Sequence, residues 1–445
     1  MNPELTISAG NTAWVLISAA LVFLMIPGLA LFYGGLVRTK GVLNTMMMSA
    51  AALGVVGVQW ILFGYSLSFE PGGAWIGGFG WAGLAGIGSG ANSDYAPTFP
   101  HIAFVLFQGM FAVITVALIS GAVVERMRFP VYLAFAVLWT TLVYDPLAHW
   151  VWGVGGWLRE LGALDFAGGT VVHIAAGTSA VVAALMLGAR RDFRKVAFVP
   201  HNVPTTLLGA GLLWFGWFGF NAGSALAANG LAALAFANTF AAGASGLATW
   251  MTLELLRNGR STAVGAATGL VTGLVSITPA AGYVTPVAAL AIGLIGAVAS
   301  QFALELRARV RLDDSLDVFA CHGVAGIIGA ILTGVFATTD VNPAGANGLL
   351  YGDASQLGVQ LFAIAVTIAF SAVATGGVLV VLKAVFGLRV SLAAELHGID
   401  LSEHGEEAYY GADVGALVGR RAPIGESVLL PATEIQSVAR LQPQE

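Results

Sequence analysis

Two histidines, His173 and His322, each open the pattern H-x-x-A-G, as His173-Ile174-Ala175-Ala176-Gly177 and His322-Gly323-Val324-Ala325-Gly326. A neutral imidazole donates one hydrogen bond and accepts another. Such a pair can relay a proton, or it can ligate haem or a metal. Both histidines lie in apolar stretches long enough to cross a bilayer, where an ionisable group is costly and therefore points to function. A matched pair in two halves of one chain points to transport, because transport sites lie where internal repeats meet. The haem alternative calls for further histidines at helical spacing. The other five, His101, His149, His201, His397 and His404, fall near expected membrane edges or in the tail. No phosphate-binding G-x-x-x-x-G-K loop occurs, so ATP-driven pumping is not expected.

Other residues read with less force. Cys321 is the single cysteine, which leaves no intrachain disulfide, and beside His322 it reads as a small core residue. Asp165 stands where the fifth apolar segment begins, and a carboxylate there would cap free N–H groups and suit the helix dipole. Asp317, five residues before His322, reads as a similar opening residue. Asp145, near the end of the fourth segment, is a weaker candidate for adding negative potential to an outer vestibule.

The elements that hold these residues follow from composition. The chain has 445 residues, of which 57% are hydrophobic and 10% charged. Its mean hydropathy is +0.84. Soluble domains carry about 25% charged residues, so the solvent for most of this chain is lipid. Its 59 glycines suit close helix packing. Apolar runs predict an all-α integral membrane protein with spans at 12–36, 44–68, 101–124, 131–149, 168–188, 203–222, 234–256, 262–280, 286–306, 318–337 and 355–384. The first run lacks a basic leader and is too long for a signal-peptide core, so it reads as a span.

Basic residues sort by side. Arg38, Lys40, Arg126, Arg128, Arg190, Arg191, Arg194, Lys195, Arg257, Arg260, Arg307, Arg309, Arg311, Lys383 and Arg389 all follow odd-numbered spans, while the even-numbered connections hold only Arg159. The positive-inside rule then puts the N-terminus outside and the C-terminus in the cytoplasm of a plasma membrane, the inner membrane in a bacterium. Five is odd, so a second set of five helices would run inverted. Helices 1–5 and 6–10 are therefore expected to form an inverted repeat, with His173 in the fifth and His322 in the tenth, and an outer eleventh helix. The expected division is a transmembrane domain over 1–388 and a cytoplasmic tail over 389–445, loosely ordered past Tyr410.

Long stretches along this order resemble the ammonium transporters of the Amt/Mep/Rh superfamily, in its bacterial Amt form. They include PGLALFYGGLVR (27–38), FQGMFAVITVALISGAVVERMRF (107–129), AHWVWGVGGW (148–157), ALDFAGGTVVHIAAG (163–177), PHNVP (200–204), GWFGFNAGSA (216–225), DVFACHGVAGIIG (317–329), and GLRVS and HGEEAYY in the tail. The resemblance implies a homotrimer with one pore per subunit, a channel or transporter and not an enzyme, with no cofactor or metal.

It also implies roles. Phe107, Trp152 and Ser224 would recruit ammonium at the outer mouth, through aromatic faces worth about 0.5–2 kcal/mol to a cation and a hydroxyl acceptor. Read as residues alone, Phe107 and Trp152 are equally interfacial or core aromatics. Phe111, one turn from Phe107, and Phe220, four residues before Ser224, would form a stacked gate, against a reading as ordinary core. His173 and His322 would line the pore, with Trp217 and Thr278. Asp165 and Asp317 would give structural support. Ammonia, ammonium and methylammonium are the implied solutes. A PII-type signal protein on the cytoplasmic face is the implied regulator, and the pattern offers nothing for nucleic acid.

Overall fold

The computed structural model describes residues 6–409. The extension past Tyr410, expected to be loosely ordered, lies outside the described residues. Among them the protein is all-helical apart from two isolated bridges. Ten helices are long and apolar enough to cross a membrane. They are α1 (Ala9–Leu36), α2 (Thr39–Phe69), α3 (His101–Ser120), α4 (Phe129–Glu160), α5 (Gly169–Leu187), α6 (Val203–Ala222), α7 (Gly230–Asn258), α9 (Pro286–Arg309), α10 (Phe319–Phe336) and α11 (Ala354–Phe386). The eighth expected span is the shorter apolar helix α8, Ala263–Ile277. It stops before the expected 280 because Pro279 brings no N–H to continue the ladder. Each element falls on its expected apolar run, since in lipid the backbone must satisfy itself within one segment.

Caps fix several starts. Ser8, Asn202, Asn229, Thr262, Thr285 and Asp353 each accept a backbone N–H from the first turn of the helix that follows. Exposed apolar side chains along the outer helices, among them Leu256, Val287, Val373 and Val385, suit a hydrocarbon solvent.

The pairs that an inverted repeat would relate pack directly on one another. α1 lies along α6, and α5 along α10. Glycine makes both approaches possible. A Cβ on Gly209 would stand 2.3 Å from the Phe32 nitrogen, and one on Gly177 would stand 2.3 Å from the Gly323 nitrogen. α11 packs across α4, α5 and α10.

The periodicity does not foretell the five π-helical turns. They lie at Trp60–Gly64, Thr140–Tyr144, Gly169–Ile174, Phe218–Ala222 and Phe319–Val324. Such turns concentrate at functional sites. Three of them carry His173, Phe220 and His322.

Past α11 the chain turns back through α12 (Leu392–His397) and α13 (Ile399–His404). The compact unit runs to Glu406, so it includes the first part of the tail expected over 389–445. Asp400 accepts the N–H groups of Leu43 (2.9 Å) and Asn44 (2.8 Å) at the start of α2, and Glu403 accepts that of Phe129 (2.8 Å) at the start of α4. Lys40 Nζ donates to the carbonyls of Glu395 and Leu396. Nearby, Arg190 and Arg126 flank the buried Asp313 at 2.7 and 3.0 Å. Burial raises that carboxyl, but the two guanidiniums outweigh it and hold it below the usual range.

Candidate functional site

Three cavities follow one another through the helices. The widest, of about 640 Å³, is lined in part by Phe104, Gln108, Phe111, Trp152, Asp165 and Ser224. The next, of about 10 Å³, is lined by apolar side chains together with His173, Trp217, Phe220 and His322. The third, of about 170 Å³, begins again at His322 and runs past Cys321, Asp317, Tyr33 and Phe198. His322 thus borders two of the three.

Between the first two cavities stand Phe111 and Phe220. Their rings stack with centroids 4.2 Å apart and planes 25° apart. Phe111 comes from α3 and Phe220 from the π-turn of α6, so the barrier joins the two halves of the chain. Trp152 meets Phe111 edge to face at 6.0 Å.

Past that barrier the histidine rings meet. Nδ1 of His322 lies 3.3 Å from Nδ1 of His173, and the ring planes differ by 18°. Both side chains are buried. A hydrogen bond between two Nδ1 atoms fixes complementary tautomers, with one Nδ1 protonated and the other bare. The outer nitrogens are then one acceptor and one donor. Nε2 of His173 has no protein partner and remains available. Trp217 lies nearly parallel to His173 at 5.5 Å, and its indole N–H donates to Thr278 Oγ1 at 2.9 Å. Thr278 thereby orients the wall and adds no free polar atom to it.

Asp165 builds the support on one side. Its carboxylate accepts the N–H groups of Gly168 (2.7 Å), Gly169 (2.6 Å), Thr170 (2.8 Å) and Val171 (3.2 Å), and also the Thr170 hydroxyl. The turn requires Gly168 at φ +115°, where a side chain would be strained. The Asp165 carbonyl accepts the Trp152 indole N–H at 2.9 Å. So many donors leave little of the carboxylate free, and Asp165 acts by holding Trp152 and the start of α5.

The matching carboxylate in the second half is Asp314, not the expected Asp317. Asp314 accepts the N–H groups of Val318 (3.1 Å) and Phe319 (2.8 Å). It precedes His322 by eight residues, as Asp165 precedes His173. That repeated spacing was the available signal. Asp317 instead sits at φ +57° and pairs with Arg307, lining the third cavity. Burial pushes its carboxyl up to about 7, against the pull of Arg307.

Phe107 also differs from expectation. Its ring is fully buried against Phe111 and beside Gly223, and it does not border the wide cavity as Phe104, Gln108 and Phe111 do. Ser224 does border it, with its hydroxyl donating to the Phe220 carbonyl at 2.9 Å. Asp145 is fully buried, receiving bonds from Gln59 (2.7 Å) and Ser68 (3.3 Å), and does not line the cavity. Among the described residues no group of three or more His, Cys, Asp or Glu could hold a metal ion.

Comparison with known proteins follows the same line. A profile of the Ammonium Transporter Family matches residues 13–409. The ammonium transporter of Bacillus subtilis is 51% identical over 401 residues, covering 90% of this chain and 98% of that protein. Ammonium transporter Amt1 of Archaeoglobus fulgidus is 43% identical over 406 residues, 90% of this chain and all of the other. The crystal structure of Saccharomyces cerevisiae Mep2 superposes with a TM-score of 0.82 at 38% identity, over 87% of this chain and 88% of that one. A sensor Amt protein superposes with the same TM-score at 30% identity, over 89% and 98%.

Proposed function

The chain belongs to the Ammonium Transporter Family, a family of multi-pass membrane transporters and not of enzymes, and from that premise we propose how it moves its substrate. Ammonium enters the wide cavity from outside and is captured against Trp152 and Phe111, with Ser224 as acceptor and Phe107 packed behind. The Ser224 proton is committed to the Phe220 carbonyl, so the hydroxyl offers lone pairs to an N–H. Aromatic faces replace part of the lost hydration. The ion gives its proton to water of the outer vestibule, and ammonia passes between Phe111 and Phe220.

An ion would not follow. Moving a bare charge into the apolar cavity costs several kcal/mol even after relaxation. Ammonium can lose a proton and become neutral, which potassium cannot do. Inside, the paired imidazoles present one donor and one acceptor, which suits a molecule that has N–H groups and a lone pair. Ammonia leaves by the third cavity and is protonated again in the cytoplasm. The N-terminus is outside, the C-terminus is cytoplasmic, and eleven helices cross the membrane with α8 as the eighth. Three subunits each carry a pore. The basic face with α12 and α13 is where a PII-type protein would dock, and 389–445 acts as the regulatory segment.

The observation that carries this reading is the histidine pair, in contact at 3.3 Å within an otherwise apolar cavity. Replacing both His173 and His322 with Ala is expected to abolish selective uptake of ammonium and methylammonium in proteoliposomes while the oligomer still assembles. Selective uptake at the wild-type rate would reject the pair as the conducting element.

A further inference from the structure

Among the polar side chains that border the wide cavity, Gln108 has been given no role. Gln108 lies on α3 between Phe104 and Phe111, four residues after one and three before the other, hence on the same helix face. All three border the cavity. The side chain is 9% exposed, yet its amide oxygen is buried without a hydrogen-bond partner. Buried amide groups are nearly always paired, and leaving one unpaired costs about 1–3 kcal/mol. A half-turn of the amide exchanges its oxygen and nitrogen, so either end can be presented to the cavity that the side chain borders. The group is therefore set to receive something that enters the cavity.

The neighbours say what that is. Asp165 is occupied by five donors. The Trp152 indole N–H is spent on the Asp165 carbonyl. The Ser224 proton is spent on Phe220. What these residues leave to the cavity is two aromatic faces, the lone pairs of Ser224 and the amide of Gln108. This set suits a small cation that carries N–H donors on several sides.

We propose that Gln108 is a ligand of the captured ammonium ion, accepting one N–H while Ser224 accepts another. The assignment rests on the capture-site reading above and adds to it a second acceptor. Two acceptors and two aromatic faces match the four N–H bonds of ammonium. Methylammonium presents one N–H fewer and loses part of this match, so Gln108 favours the unsubstituted ion.

The test is transport kinetics of the full-length protein in proteoliposomes, with ammonium and with methylammonium. Gln108→Leu keeps the volume and removes the acceptor. It is expected to raise KM for ammonium about tenfold, the lower end for a hydrogen bond to a charged group, with a smaller rise for methylammonium and a smaller change in maximal rate. Gln108→Glu keeps an acceptor and is expected to restore KM to the wild-type value or below. A Gln108→Leu KM within twofold of wild type overturns the assignment, as does a Gln108→Glu variant that assembles with KM raised as far as in Gln108→Leu. Should Gln108→Leu fail to assemble, Gln108→Met replaces it under the same criteria. Trp152→Leu separates this idea from its premise. If Trp152→Leu leaves KM unchanged, the capture site itself is wrong. If it raises KM while Gln108→Leu does not, Gln108 alone is wrong.

Discussion

At the residue scale, the chemistry lies in a few side chains whose hydrogen bonds are already allotted. The pattern H-x-x-A-G made the histidines legible, because a titratable group within an apolar run has few structural explanations. Asp314 and Asp317 show where reading by type fails. Both are aspartates near the start of α10, and only the direction of the chain decides which one reaches the free N–H groups. Asp317, at φ +57°, points away to Arg307. Its displaced carboxyl gives a prediction with a definite sign. Burial raises it from 3.8 to about 7, so the folded state keeps a proton that the unfolded chain has released. Its contribution to stability is complete below pH 3.8 and is lost as pH rises towards 7. Asp317→Asn is expected to gain thermal stability over wild type at pH 8 relative to pH 4, read from unfolding in detergent at both values. An identical pH profile for the two proteins would show that Asp317 titrates normally.

At the element scale, lipid makes the helices easy to read and their internal irregularities hard. A run of some twenty apolar residues has one satisfactory backbone in hydrocarbon. A π-turn leaves composition untouched, yet its extra residue rotates the face that follows. Phe107, which the resemblance put at the outer mouth, lies on the regular helix α3, and its ring packs beside Gly223 at the end of the π-turn of α6. The contact between α5 and α10 was legible only as an excess of glycine. Its strictness is structural, because a Cβ on Gly177 would overlap the Gly323 backbone, which has no side chain to move. Gly177→Ala is expected to cost about 1–3 kcal/mol, the usual range for overpacking, and to pull the two imidazoles apart. A lowered unfolding temperature together with reduced ammonium flux would bear this out. Wild-type values for both would mean that the helices separate without loss.

At the scale of the whole molecule, function rests on cavities that do not merge. The wide cavity is polar enough to receive an ion, the central one has space for about a single water, and Phe111 and Phe220 keep them apart. No single residue reveals this arrangement in sequence, since any of 25 phenylalanines could be core and the partition depends on two helices from different halves. If the stacked rings form the barrier that keeps hydrated ions out, removing both should join the wide and central cavities and let water in. Water lowers the cost of bringing a charge to the histidines, so Phe111→Ala with Phe220→Ala is expected to admit potassium that the wild type excludes, while ammonium flux persists. Potassium current across a supported membrane, with ammonium uptake into proteoliposomes of the same sample, reads both effects. Continued exclusion of potassium in an assembled double variant would move selectivity from the ring pair to the dry wall beyond it, leaving His173 and His322 in an enclosure that rejects charge along its whole length.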